Sequence, residues 1–214
     1  MADSKLLLST AYFGPVHYYA RYLKHPKVYI EQFEHFNKQT YRNRCIILGA
    51  NGPLSLVVPV VKGREKKIVI KDLKISYDEN WQHNHWRSIF SAYNSSPFFE
   101  YYKDEIYYIF NRKWGFLIDL NQKIHSIICE LLEIENKNVF TESFEIINDN
   151  TCNLRDIISP KNKTLKDSVF RPAKYTQVFS EKFGFIPNLS ILDLLFNEGP
   201  NSYTLLESSL IADQ

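Results

Sequence analysis

The sequence predicts a mixed α/β protein, in which strands near the N-terminus form a sheet and later helices pack over it. The first observation is a β-α-β pattern: strand-like runs at 5–10 and 28–32 flank a helix-like segment that begins at Pro15. Proline suits the first turn of a helix, and β-α-β units are parallel and right-handed. The carboxyl ends of both strands should therefore meet at one edge of the sheet, where ligands gather in open α/β sheets.

The second observation is a hairpin signal. The apolar, β-branched runs 43–48 and 54–61 are separated by a segment that contains Asn51 and Gly52, a pair that favours a tight turn between strands. We expect this hairpin to join the same sheet as the β-α-β unit. The charged run 62–67 that follows is either a solvated loop tip or a phosphate contact.

The third observation is helical patterning in the chain from about Asn80 onward. Helices are expected to begin near Asn80 and Leu117, because side chains of one face recur there at spacings of three and four. A third helix is expected from Leu189, in a segment that follows Pro187 and is apolar on nearly every face. Strand order does not follow from these patterns. Three shorter runs are expected to be strands: 68–75, 139–147 and 175–179.

A chain of this length can form one compact unit with a sizeable core, so we expect a single domain over 1–214. Its parts are a sheet-rich region 1–77, a helical region 78–135, an irregular connection 136–174 and a C-terminal helical region 175–214. The irregular connection is a candidate lid. The 15% aromatic content leaves room for an apolar patch, so a homodimer is an open alternative.

The charge balance excludes two classes of partner. The chain has 26 Lys and Arg against 24 Asp and Glu, for a net charge of +2. Because positive and negative charges are nearly equal in number, the whole molecule is not drawn onto nucleic acid or an anionic membrane. Any basic site must therefore be local. The sequence has neither the apolar core of a signal peptide nor a run of roughly 18 apolar residues, so we expect a cytoplasmic protein with no membrane insertion.

The cysteines give no sign of a disulfide framework or a metal site. Cys45, Cys129 and Cys152 are odd in number and widely separated, without a CxxC pair or a neighbouring histidine cluster. The sequence also lacks a P-loop, a GxGxxG turn, an HExxH motif and a Ser-His-Asp order. We therefore predict no metal and no cofactor.

A local basic site is predicted where three cations converge. Lys38, Arg42 and Arg44 lie close together in the sequence, with Tyr41 and Asn43 between them. Arginine holds phosphate or carboxylate through two hydrogen bonds, and lysine adds a point charge, so the segment suits a small anionic substrate. On a strand, Arg42 and Arg44 would share one face and Asn43 the other. The alternative is an ordinary charged surface.

Three residues are candidates for moving a proton. His85 is the first, because an unperturbed imidazole titrates near about 6.5, and Glu31, at the end of its strand, is the second. Asp193 lies on an otherwise apolar helix, where an unpaired carboxylate would cost several kcal/mol, so it needs a partner or a cleft. That partner is either an internal one or an arginine of 38–44. Tyr12 and Trp81 are candidates to contact or stack on a substrate.

Several blocks of this chain, in matching order and spacing, resemble the WbqC-like protein family. The most specific is the helical block 189–195. Ser9 and Thr10 depart from the family, which often has Gln-Pro there, and the region 136–174 lacks the Gly- and Ser-containing segment of longer members. The other matching blocks are Tyr12-Phe13-Gly14-Pro15 with Tyr18-Tyr19, then 38–44, then Asn80-Trp81 with His85, Tyr93 and Pro97-Phe98-Phe99.

The resemblance implies a role in the biosynthesis of bacterial surface polysaccharide of the O-antigen type. It implies a transferase that moves an aminoacyl (glycyl) group to an amino-sugar intermediate, with a nucleotide sugar or an activated amino acid as the small-molecule substrate. The alternative is a non-catalytic ligand-binding or assembly protein of the same pathway.

Overall fold

The computed structural model of the chain describes residues 5–61, 68–145, 150–161 and 167–211. The mixed α/β class is confirmed. In chain order the elements are β1 (Lys5–Ser9), α1 (Val16–Lys24), β2 (Val28–Glu31), β3 (Arg44–Gly49), β4 (Gly52–Val57), α2 (Trp81–Tyr93), α3 (Phe99–Tyr108), α4 (Leu117–Leu131), β5 (Asn138–Phe140), β6 (Thr151–Asn153), α5 (Ser180–Phe183), α6 (Ile191–Glu198) and α7 (Ser202–Ser208).

The main sheet has four parallel strands in the order β5-β2-β1-β6. The predicted β-α-β unit is confirmed, with Leu6 of β1 opposite Val28 of β2. Leu6 to Leu8 are buried without alternation, because an inner parallel strand is covered on both faces. The chain builds outward from β1 through β2 to β5 and then returns to the other side of β1 with β6. The strand order therefore reverses between β1 and β6.

The hairpin prediction is confirmed, but the hairpin does not join the main sheet. Strands β3 and β4 form a separate two-stranded sheet around Ala50 and Asn51, and Gly52 takes a φ of +108° that favours glycine. The outer edge of β3 is occupied elsewhere, since the Ser190 backbone N–H donates to the Ile46 carbonyl at 2.8 Å. This contact places the hairpin against the start of α6 rather than beside β1 or β2.

The region 136–174 differs most from expectation. It contributes β5 and β6, two of the four strands of the main sheet, although we expected an irregular connection with one strand at 139–147. Two other expected strands are wrong: 68–75 contains a short 3₁₀ turn at Ile70–Asp72, and 175–179 forms no ladder. The charged run 62–67 lies outside the described residues.

Helix α6 forms the centre of the helical layer. The predicted burial of this helix is confirmed, because every residue from Ile191 to Phe196 is at least 99% buried. Its N-terminus is held by the loop after β1: the Ser190 hydroxyl donates to the Phe13 carbonyl at 2.8 Å, and the Ile191 N–H to the Gly14 carbonyl at 2.9 Å. The two ends of the chain thus pack as one core. Among the described residues, no helix has the length and apolar character needed to cross a membrane.

Candidate functional site

The candidate site lies at the carboxyl edge of the main sheet, where β1 and β6 end side by side. Ligands of open α/β sheets bind outside this edge, at the point where the strand order reverses. A cavity of about 10 Å³ lies there, which is room for about one water molecule. It is lined by Leu8, Ser9, Thr10, Ala11, Tyr18, Tyr41, Arg42, Leu154, Arg155 and Ile158.

Ser9 is the last residue of β1 and lines this cavity. Its hydroxyl oxygen is buried and has no hydrogen-bond partner within the described part of the chain. A buried hydroxyl without a partner costs free energy, of the order of 1–3 kcal/mol. Such a group is placed to donate to a ligand.

Arg155 follows β6 on the other side of the cavity. Its Nε donates to Asn153 Oδ1 at 3.0 Å, which fixes the base of the guanidinium. Its Nη1 approaches Glu31 Oε2 at 3.5 Å, at the limit of a hydrogen bond. The side chain is 92% buried, so the cation lies within the protein edge and not in bulk solvent.

Glu31 ends β2 and is fully buried. Its Oε1 accepts from the Phe33 N–H at 2.8 Å and from Thr141 Oγ1 at 3.0 Å, and its Oε2 accepts from the Glu145 N–H at 2.8 Å. These donors belong to the loops that follow β2 and β5. The predicted acid–base residue therefore also ties the carboxyl edge of the sheet together.

Arg42 lines the cavity, but its charge is already balanced. Its Nε and Nη2 donate to Glu34 Oε1 and Oε2 at 2.7 and 2.6 Å, and both side chains are buried. The Arg42 carbonyl accepts from Asn121 Nδ2 at 2.8 Å. The two-pronged geometry that suits a phosphate is occupied by a carboxylate of the protein itself.

The other members of the predicted anion segment are dispersed. Lys38 is exposed in a turn, and Tyr41 lines the cavity. Asn43 donates its amide to the Val58 carbonyl at 2.8 Å. Strand β3 begins only at Arg44, so the expected alternation of Arg42 and Arg44 on one strand face is wrong.

His85, Tyr12 and Trp81 form a separate buried cluster beneath the hairpin. The Tyr12 hydroxyl and His85 Nδ1 are 2.8 Å apart, and the Trp81 ring meets the His85 ring edge-on at 5.2 Å. Burial lowers the pKa of His85 to about 4, because the charged imidazolium is poorly solvated there. The histidine is therefore neutral at pH 7 and accepts a proton only weakly.

Asp193 has the internal partners that its burial requires. It accepts from the Tyr93 hydroxyl at 3.0 Å, the Tyr175 hydroxyl at 2.7 Å and Gln177 Nε2 at 2.8 Å. Burial raises the pKa of Asp193, and these hydrogen bonds partly offset that effect. Its three partners in the described chain include neither Arg42 nor Arg44.

The candidate residues thus fall into distinct places, and of the predicted site residues only Tyr41 and Arg42 line the cavity. Arg155 and its partner Asn153 escaped notice because β6 has only three residues and shows no periodicity of its own. Ser9 lies on the predicted strand 5–10, but no sequence pattern marks its hydroxyl as unpaired. A larger open groove of about 580 Å³, between the hairpin turn and α2, is lined by none of the predicted site residues. Among the described residues, no group of three or more His, Cys, Asp or Glu converges on a metal-sized centre.

The structure defines an α/β protein built on a parallel sheet whose strand order reverses beside β1. The WbqC-like protein family matches residues 10–172, which is most of the chain, and the chain belongs to that family. The match ends before 189–195, the block that resembled the family most specifically. The uncharacterized protein Rv1507c of Mycobacterium tuberculosis is 26% identical over 189 residues, which covers 77% of this chain and 80% of that protein. No solved structure matches.

Proposed function

We propose that this protein binds a small anionic metabolite at the cavity between β1 and β6 and transfers an acyl group to it. The proposed pathway is the biosynthesis of bacterial surface polysaccharide of the O-antigen type, with a glycyl group moved to an amino-sugar intermediate. The observation that carries the proposal is a cation, Arg155, beside an unpaired buried hydroxyl, Ser9, where the strand order reverses. Family membership supports the choice of pathway.

The proposed transfer needs one base and one anion anchor. The sugar amine attacks the carbonyl carbon of an activated glycyl phosphate, so a C–N bond forms and the C–O bond to phosphate breaks. Phosphate leaves with the electron pair, and the amine proton passes to a base. We assign this role to Glu31, which contacts Arg155, because His85 lies in another cluster and has its pKa lowered to about 4.

The alternative is a non-catalytic ligand-binding or assembly protein of the same pathway. Its specific support is the full set of hydrogen bonds that Glu31 already accepts from Phe33, Thr141 and Glu145. Both carboxylate oxygens are already engaged by donors of the protein, so a substrate amine would have to displace one of these donors to reach Glu31. Ligand binding without turnover would use the same cavity.

Product analysis separates these functions. Purified protein is incubated with glycyl phosphate and uridine diphosphate amino sugars, and mass spectrometry measures the gain of one glycyl group. Glycylated product that disappears in Glu31→Gln but persists in His85→Gln supports the transferase. If calorimetry detects binding of a nucleotide sugar but no glycylated product forms, the ligand-binding alternative is supported. The absence of both binding and product contradicts the whole proposal.

A further inference from the structure

We propose that Arg155 is the residue that binds the oxyanion of the ligand, and that Glu31 is its resting counter-ion, from which Arg155 separates when the ligand binds. This inference rests on the proposed ligand site and names the chemistry that the site recognises: a phosphate group. A sugar nucleotide and an acyl phosphate both carry that group.

The two arginines that line the cavity differ in how tightly a glutamate holds them. Arg42 is held by Glu34 through two short hydrogen bonds of 2.7 and 2.6 Å. Arg155 reaches Glu31 through a single approach of 3.5 Å. Short, paired contacts between charged groups are much stronger than one long contact. Arg155 is therefore the cavity arginine that a ligand can recruit.

Glu31 carries the carboxyl group that Arg155 would leave. Removing a partner from a buried carboxylate is costly when the group is then bare. Glu31 keeps three other donors, the Phe33 and Glu145 N–H groups and the Thr141 hydroxyl, at 2.8 to 3.0 Å. Glu31 therefore stays hydrogen-bonded when Arg155 separates from it. This lowers the free-energy cost of moving Arg155 from Glu31 to the ligand.

Hydrogen-bond donors from β1 and from the residues after β6 meet at the cavity. Asn153 Oδ1 accepts from both the Arg155 backbone N–H at 3.2 Å and its Nε at 3.0 Å. This anchoring uses Nε and leaves the two terminal nitrogens, of which Nη1 lies 3.5 Å from Glu31 Oε2, for a ligand. Ser9 Oγ, buried and without a partner in the described chain, adds a neutral donor from β1. A planar fork beside a hydroxyl suits the oxygens of a phosphate.

The size of the cavity couples binding to movement of Arg155. At about 10 Å³ it admits about one water-sized group, which is less than a phosphate. Arg155 is one of the side chains that line it. We expect the guanidinium to shift when the ligand enters, and to move from Glu31 to the phosphate. Glu31 Oε2 then loses one of its two partners and is the atom to which we assign the proton of the proposed transfer.

The test measures binding of inorganic phosphate, uridine diphosphate and acetyl phosphate by calorimetry. Uridine, which lacks phosphate, is the negative probe. We expect Arg155→Gln to weaken binding of all three phosphate probes by about 10- to 100-fold, as for loss of a hydrogen bond to a charged group. Arg171→Gln removes an exposed arginine and is the matched control, with affinity within about twofold of the parent.

A second measurement keeps the test informative if Arg155→Gln folds poorly. In the unmodified protein, phosphate should shift the NMR resonance of the Arg155 Nε–H group and leave that of Arg42 unchanged. An unchanged Arg155 resonance, or phosphate affinity within about twofold in a folded Arg155→Gln variant, overturns this inference.

The outcomes also separate this inference from the proposed function. Glycylated product or nucleotide-sugar binding that survives Arg155→Gln overturns the role of Arg155 and leaves the proposed function standing. If the protein binds uridine diphosphate but not acetyl phosphate, the phosphate group that it recognises belongs to a nucleotide. If it binds acetyl phosphate but not uridine diphosphate, that group belongs to an acyl phosphate. If the parent protein binds no phosphate probe and yields no product, both proposals fail.

Discussion

Arg42 and Glu34 form a buried pair eight residues apart, with the guanidinium donating two hydrogen bonds of 2.7 and 2.6 Å to one carboxylate. The pair joins the loop after β2 to the turn before β3, and Asn121 of α4 binds the Arg42 carbonyl. The most conspicuous arginine of the basic segment thus serves first to tie together the two ends of the connection between β2 and β3, beside the cavity.

Replacing either member of this pair should strongly destabilise the protein. We expect Arg42→Met or Glu34→Met to cost about 3–5 kcal/mol, because each leaves an uncompensated buried charge. The double variant should cost less than either single one, since both charges are then gone. Urea unfolding measures the three values. Single variants within about 1 kcal/mol of the parent would show that the pair contributes little to folding.

The Ser9 hydroxyl should lower the stability of the folded protein and strengthen its binding of phosphate. Ser9→Ala removes a buried group that lacks a partner in the described chain, so stability should stay equal or rise by about 1 kcal/mol. Phosphate affinity should fall, because the neutral donor beside Arg155 is lost. Thermal unfolding and calorimetry on the same sample measure both effects. A loss of stability together with unchanged phosphate affinity would assign Ser9 a structural role only.

His85 should make the protein less stable in acid. Its pKa is lowered to about 4 in the folded state, against 6.5 for a free side chain, so the unfolded chain binds the extra proton between these values. Stability is then complete above pH 6.5 and falls as the pH drops toward 4, by up to about 3 kcal/mol.

The check for His85 is urea unfolding from pH 7 to pH 4 of the parent and of His85→Gln, with the acid-induced loss smaller in the variant. His125, whose burial lowers its pKa to about 3, has an effect of the same sign but is present in both proteins and cancels. Identical pH profiles for the two proteins would contradict the buried environment of His85.

Asp193 should show the opposite dependence. Burial raises its pKa above 3.8, so the folded protein binds a proton that the unfolded chain does not, and this group favours folding more as the pH falls toward 3.8. Asp193→Asn should cost about 1–3 kcal/mol, because its amide donor faces hydroxyls that donate to Asp193 in the parent. The difference in stability from the parent should widen between neutral pH and about pH 4. A difference that narrows would contradict this assignment.

Local patterns were enough for part of the fold. The β1-α1-β2 unit, the β3-β4 hairpin and the buried helix α6 were predicted because each depends on residues close together in the chain. Strand β5 was predicted only as part of the longer run 139–147, and β6 was not predicted, since each has three residues and becomes a strand only by pairing with β2 or β1. Their sequences contain too few residues to show a period.

The candidate site was likewise predictable only in part. The sequence by itself determined which groups must be satisfied: a buried aspartate, a cluster of arginines and a histidine beside a tryptophan. Only the tertiary structure decided the partners. Arg42 is bound by Glu34, and His85 by Tyr12. Asp193 accepts hydrogen bonds from Tyr93 and Tyr175. It also brought Arg155 beside Ser9, 146 positions earlier in the chain (155 minus 9), through the pairing of β6 with β1. Hydrogen-bond partners far apart in sequence are set by packing, which no local spacing encodes.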